Sequence, residues 1–154
     1  MGEIFMMPSG GPGSTYHYLG AKANERHDGW ESVGDMGYLD ADGYLYLGDR
    51  RSDMIVTAGR NVYPAEIEAA LVAHPSIRSC AVIGLPDEEF GERIHAIVQC
   101  EGELDEVALR RHLGSQLIEY KVPRSFESVA SDLRNEAGKV RRTALRTARL
   151  EAHA

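Results

Sequence analysis

The stretch Gly43–Glu68, GYLYLGDRRSDMIVTAGRNVYPAEIE, constrains this chain more than any other. It is apolar where it runs and charged where it bends. Tyr38-Leu39 and Tyr44–Leu47 are short aromatic and aliphatic runs joined by Asp40-Ala41-Asp42-Gly43, the pattern of a β-hairpin. Gly48–Asp53 breaks that hairpin with charge. Met54–Thr57 reads as a further strand, stopped by Ala58-Gly59-Arg60-Asn61. Pro64 then stands where a helix begins, because its missing N–H has no partner to lose in a first turn. Glu66 and Glu68 suit the start of that helix, and Ile67, Ala70 and Leu71 share one face.

The flanks differ in kind. Upstream, Glu3–Met7 is a lone strand candidate followed by a glycine- and proline-rich loop, Pro8–Ser14. Tyr16–Glu25 has no clear period, His27-Asp28-Gly29 is a turn, and Trp30–Val33 is a short strand. One short strand with no local partner cannot bury a face, so this region reads as part of a larger body.

Downstream, Ser79–Ile83 is an apolar strand ended by Gly84, and Leu85–Gly91 an acidic loop. Ile94–Cys100 is a strand. Asp105 caps a helix carrying Ala108, Leu109, Leu113 and Leu117. Tyr120–Arg124 is a rigid connector, Phe126 and Val129 mark a third sheet strand, and Ser131–Gly138 is a loop. Val140–Leu150 is a helix with Ala144, Leu145 and Ala148 expected inward and its arginines outward. From Met54 the order is β-α-β-β-α-β-α. That is an α+β fold, a small mixed β-sheet with packed helices, preceded by a β-rich segment.

Composition removes several function classes. The 154 residues carry a net charge of −7, which argues against nucleic-acid binding although residues 139–149 are basic. No run approaches the ~20 apolar residues of a membrane span. The N-terminus, with Glu3 and no basic residue, is unlike a signal peptide. Cys80 and Cys100 lie in apolar runs outside any CxxC or Cys/His cluster, as free thiols of a reducing compartment do. No histidine spacing suggests a metal, and the GxxxxGK[ST], GxGxxG and GxSxG patterns are absent.

Four polar clusters remain. Gly34-Asp35 places a carboxylate beside a strand, fit for a diol or simply for capping a turn. Asp49–Asp53 offers arginine forks to a phosphate, or local ion pairs at a solvated bend. Gly59-Arg60-Asn61 can bring backbone close to a ligand or merely turn the chain. Gly138-Lys139, before a basic helix, puts an ammonium at a loop tip, where it either reaches a phosphate or is solvated.

Together these clusters are more specific than any one alone. Glu31–Tyr38, Asp42–Arg50, Asp53-Met54-Ile55, Gly59–Glu68, Tyr120–Arg124 and Gly138–Arg142 resemble, in order and spacing, the acyl-adenylate-forming enzymes, which include acyl-CoA synthetases, peptide-synthetase adenylation domains and firefly luciferase. The resemblance is to the C-terminal end of a fatty-acyl-CoA or related ligase. It implies that residues 1–49 close a large N-terminal domain and that residues 50–154 form a small mobile lid. It implies ATP, CoA and Mg2+ in the intact enzyme, with the phosphate loop, acyl pocket and Mg2+-binding glutamate in the large domain, which is then the main partner. A carboxylic acid, a fatty acid by family frequency, becomes acyl-AMP and is then passed to CoA.

By the same resemblance Asp35 binds the ribose hydroxyls of ATP and Arg50 its ribose–phosphate region. Lys139 stabilises the adenylation transition state. Ser52 is the hinge, where the family more often has Asp or Lys. The loop of Gly59, Arg60 and Asn61 lines the CoA channel after a rotation. Leu133 stands where the family often has proline, which implies a slacker Lys139 loop. The expected location is cytoplasmic, with peripheral membrane attachment open to the intact enzyme. The isolated chain is expected to be inactive. The competing reading is a non-catalytic interaction or regulatory module that keeps the lid fold.

Overall fold

Short strands need neighbours, and the computed structural model shows where each finds one. It describes residues 1–14, 24–25 and 28–152, and the chain divides into two units, Met1–Ser52 and Asp53–Ala154.

In the first unit, β1 (Gly2–Glu3), β4 (Asp35–Leu39) and β5 (Leu45–Arg50) form an antiparallel sheet in the order β1-β4-β5, while β2 (Asn24–Glu25) pairs with β3 (Glu31–Ser32). The strand expected over Glu3–Met7 shrinks to Gly2–Glu3, with Met6 bridging Glu31 across the following segment. The hairpin turn is as expected, but its strands are longer: β4 starts at Asp35, and β5 runs through Gly48-Asp49-Arg50, expected to break it, because these residues pair back onto β4. Asp40 accepts the N–H groups of Asp42 (3.0 Å) and Tyr44 (2.9 Å), and Gly43 supplies the positive φ of 85°. The Tyr44 bond, before the others, holds the Asp40 carboxyl below the usual carboxylate range. Tyr38 and Tyr46 stack with ring centroids 5.0 Å apart. Residues 15–23, and with them most of the unpatterned Tyr16–Glu25 stretch, lie outside the described residues. So does His27, although Asp28-Gly29 does turn, with Gly29 at φ 84°.

The second unit is a mixed sheet with helices on both faces. Its elements are β6 (Ile55–Thr57), β7 (Arg60–Val62), α1 (Pro64–Val72), β8 (Ile77–Asp87), β9 (Gly91–Cys100), α2 (Glu106–Gly114), β10 (Ser125–Ser128) and α3 (Arg142–Glu151). The order is therefore β-β-α-β-β-α-β-α, one strand more than expected. Arg60-Asn61 do not stop the chain: only Ala58-Gly59 turn, and the next three residues pair back onto β6. β9 is the centre. It runs antiparallel to β8 along its length, parallel to β10, and meets β6 at Gly91.

Side-chain alternation builds two cores from one sheet. Cys80 and Val82 on β8 and Ile94, Ala96 and Val98 on β9 meet α1 (Ile67, Ala70, Leu71) and α2 (Leu109, Leu113). Ala81, Ile83, Leu85 and Ile97 point the other way, onto Leu133, Val140 and Leu145. Full burial of each large side chain, such as Leu71 or Leu113, is worth about 1.5–3 kcal/mol. Asp105 caps α2 by accepting the Ala108 N–H at 2.9 Å.

β8 does not end at Gly84. It continues to Asp87, and the acidic loop is a tight turn in which Asp87 accepts the N–H groups of Glu89 and Phe90 at 3.1 Å. The arginines of α3 do not face outward, and Ala144 and Ala148 do not face inward. Arg142, Leu145, Arg146 and Arg149 form the inner stripe at i, i+3, i+4, i+7. Carboxylates on other elements meet them: Asp53 and Glu68 meet Arg142, Glu92 meets Arg146 (2.8 Å), and Glu127 meets Arg149 (2.8 Å). Among the described residues, no helix is long and apolar enough to cross a membrane.

Candidate functional site

In the first unit the hairpin register brings two predicted residues together. Asp35 on β4 and Arg50 on β5 are direct partners, with Arg50 Nε 3.9 Å from Asp35 Oδ1. Both remain open to solvent, so the pair itself adds little stability. The register shifts between Asp35 and Gly37, a bulge of the kind that re-aims side chains. Behind it, Glu3 accepts from the Ser32 hydroxyl (2.8 Å) and from Arg51 (2.9 Å), while the Ser32 oxygen accepts the Gly34 N–H (3.0 Å). Asp35 is thus a carboxylate on a braced backbone with its head exposed. Ser52 lies in the exposed 3₁₀ turn Arg51–Asp53 and is the last residue of the first unit.

In the second unit, Ala58 (φ 48°) and Gly59 (φ 73°) make a two-residue turn with both φ values positive, the geometry that matches strand twist in a hairpin. Ala58 is the only non-glycine described at positive φ. Its N–H donates to Phe90 O at 2.9 Å, which pins the turn to the β8–β9 tip. A Cβ built on Gly59 meets no heavy atom within 4 Å, so the glycine is required by φ and not by crowding inside the chain. Beside this turn lies an open cleft of about 580 Å³ lined by Thr57, Arg60, Phe90, Arg110, Tyr120 and Arg124, among others. Arg60 lies over the Tyr120 ring at 4.5 Å and Arg124 over Phe90 at 3.7 Å. Arg110 donates to the carbonyls of Pro123 (2.7 Å) and Arg124 (2.8 Å), fixing the wall that carries Arg124. Such a cleft suits an anion with a flat apolar part. The sequence singled out Arg60 and the Tyr120–Arg124 connector, but not Phe90 or Arg110, which join the cleft only through the fold. Glu106 four residues before Arg110 makes it look like an ordinary surface helix pair.

Lys139 sits on a third construction. Asn135 N–H donates to Lys139 O (3.0 Å), the Lys139 N–H donates to Asn135 Oδ1 (2.9 Å), and the Gly138 N–H donates to Asn135 O (2.8 Å). Arg134 donates to Gly138 O at 3.0 Å and pairs with Val140 at the stem. Leu133, 7% exposed, enters the second core with Val140 beside it. Where the resemblance has proline, the chain has a buried leucine at the start of the loop and an asparagine turn within it. Among the described residues no hydrogen bond or ion pair engages the Lys139 ammonium. A fixed backbone with an unengaged cation at its tip is a preorganised way to meet developing negative charge.

Among the described residues no group of three or more His, Cys, Asp or Glu side chains is placed to hold a metal ion. Cys80 and Cys100 are free thiols, the first buried and the second half-buried. Burial, helped by the nearby Glu68 charge, pushes the Cys80 thiol up to about 12, so it is inert at neutral pH.

Known proteins resemble this chain in sequence and in fold. The chain is 40% identical over 135 residues to the 2-succinylbenzoate--CoA ligase of Bacillus licheniformis, covering 86% of itself and 28% of that protein. It is 43% identical over 120 residues to the long-chain-fatty-acid--CoA ligase FadD13 of Mycobacterium tuberculosis, covering 77% and 24%. Among solved structures, ATP-bound MatB from Rhodopseudomonas palustris superposes with a TM-score of 0.76 at 35% identity, over 84% of this chain and 26% of that one. The chain spans about a quarter of the length of the curated relatives it matches. Residues 66–139, just under half of the chain, match the AMP-binding enzyme C-terminal domain, and this part of the chain belongs to that family.

Proposed function

We propose that this chain is the C-terminal portion of an AMP-forming acid–CoA ligase and that Lys139 serves its adenylation step. The observation that carries the proposal is the Lys139 turn, whose backbone is closed on Asn135 while its ammonium is left unengaged. In the first half-reaction a substrate carboxylate oxygen attacks the α-phosphorus of ATP, and the bond to pyrophosphate breaks. Lys139 meets the charge that gathers on the phosphoryl oxygens. Asp35 accepts from the ribose hydroxyls, and Arg50 faces the ribose–phosphate region. In the second half-reaction the CoA thiol attacks the acyl carbonyl of acyl-AMP, AMP leaves and the thiol proton passes to solvent. Gly59, Arg60 and Asn61 border the path of the pantetheine arm. Ser52, at the joint of the two units, is the hinge between the half-reactions. The phosphate-binding loop, the acid pocket and any Mg2+ site belong to a large N-terminal domain, so residues 1–154 alone are inactive. The substrate is a carboxylic acid. Relatives named for succinylbenzoate and for long-chain fatty acids support that class, and a fatty acid is the member proposed first. The free thiols fit a cytoplasmic setting.

The test is a graft. Residues 1–154 replace the matching C-terminal part of the Bacillus licheniformis relative, and the two half-reactions are assayed apart. Lys139→Ala is expected to slow acyl-AMP formation by about 100-fold or more, the scale of losing one preorganised charge contact. Thioester formation from supplied acyl-AMP should remain within about threefold. Equal losses in both would remove Lys139 from this role. A correctly folded but inactive graft would favour the non-catalytic module.

A further inference from the structure

Arg142 is the first residue of α3 and lies three positions after Lys139. Its guanidinium is largely buried and spans two acids from distant parts of the second unit. Nη1 donates to Asp53 Oδ2 at 3.0 Å, and Nη2 donates to both Glu68 oxygens at 2.8 and 2.7 Å. The three side chains are 19%, 21% and 11% exposed, which puts the cluster far below the surface pairs of the chain. Glu68 is itself fixed, since the same Oε1 accepts the Val82 N–H at 2.9 Å on β8. One side chain thus ties the start of α3 to α1, to β8 and to the first residue of the second unit, which directly follows Ser52.

The Lys139 turn has two ends. Leu133 holds the incoming end in the second core. The outgoing end passes Val140 and reaches the Arg142 clamp after a single intervening residue. We propose that Arg142 is the positioning residue for Lys139, fixing where the Lys139 turn leaves the domain and coupling that place to the residue beside the hinge. This rests on the reading of Lys139 given above. A forked, planar donor is needed, because three carboxylate oxygens on two elements are met at once; a lysine offers charge without the fork. Arg146 and Arg149 make comparable pairs one and two turns further along α3, too far down the helix to set the turn.

Two measurements test this. In the first, amide exchange is followed on the 154-residue chain. Arg142→Met is expected to speed exchange at Gly138 and Lys139 by about tenfold relative to wild type, with Arg142→Lys intermediate and Arg146→Met within about twofold. Protected amides of β9 report that the variants are folded. If Arg142→Met loses them, Asp53→Asn, which weakens one arm, takes its place. Unchanged exchange at Gly138 and Lys139 in a folded variant overturns the holding role, whatever the enzyme does. In the second, Arg142→Met in the graft is expected to lower the rate of acyl-AMP formation with little change in ATP requirement, and Arg142→Lys to recover part of it. In a Lys139→Ala background Arg142→Met should add nothing. An additive loss overturns the positioning role. A Lys139→Ala variant with intact adenylation overturns the functional reading instead, and the exchange data still decide whether Arg142 holds the turn.

Discussion

Gly59→Ala separates what the β6–β7 turn does for the fold from what it does for a ligand. An alanine at φ 73° carries the left-handed cost of about 1–2 kcal/mol. Replacing glycine also narrows the unfolded ensemble, which returns about 0.4–1 kcal/mol. No atom of the chain lies within 4 Å of the new Cβ, so no clash is added. The net loss is therefore about 1 kcal/mol. For a domain of roughly 100 residues that is a fall in Tm of about 4–8 °C, readable by circular dichroism on residues 1–154. A loss above about 3 kcal/mol would mean the turn is crowded, and the open geometry would be wrong. In the graft, the same methyl points toward whatever passes the turn. Thioester formation should therefore fall several-fold more than acyl-AMP formation. Equal effects on the two half-reactions would refute the placement of Gly59 beside the CoA path.

Other outcomes follow from single features. Asp35→Ala in the graft should raise the ATP concentration needed for half-maximal adenylation, and an unchanged requirement would remove Asp35 from the ribose. Leu133→Ala should cost about 2–5 kcal/mol in urea denaturation, the range for truncating a buried leucine. Stability should decline as pH falls from about 7 to 4. Burial lowers the His95 pKa below its ordinary 6.5 despite the Glu127 contact at 3.2 Å, so the unfolded chain takes up that proton first and folding loses ground as pH drops through about 6.5. The Arg149 hydrogen bond, ahead of His95, holds Glu127 below 4.5, and its contribution is present above 4.5 and lost on further acidification. His95→Gln should flatten the upper part of that profile in pH-dependent urea melts.

Local chemistry was legible and long-range complementarity was not. The Asp40–Gly43 hairpin, the Pro64 helix start and the Asp105 cap were readable because each depends on neighbours a few residues apart. β8 was cut short because Gly84 resembles a stop. It is a close approach instead: a Cβ there would meet the Glu92 carboxylate at 3.0 Å, and the strand continues into buried Leu85. The α3 arginines were expected outside because charge usually faces water. Asp53, Glu68, Glu92 and Glu127 lie across much of the second unit in sequence, so only the fold reveals that they face one helix. The Asp35–Arg50 partnership came from hairpin register, which the turn largely sets. Arg60 and the Tyr120–Arg124 connector of the cleft were legible, whereas Phe90 and Arg110 reach it from two separate elements and left no local trace.

The central place of β9 carries a consequence for synthesis. Its antiparallel partner β8 and the β6–β7 hairpin all precede it in the chain, while its parallel partner β10 and α3 follow it. As the chain emerges from a ribosome, the local β8–β9 pairing can close as soon as Cys100 is free, with little loop entropy lost. β10 must wait for the α2 crossover. The turn that presents Lys139 is assembled after that, when Leu133 and Arg142 find a sheet and carboxylates already in place. Lys139 is thus among the last residues to be set, on a template that its own segment did not help to build.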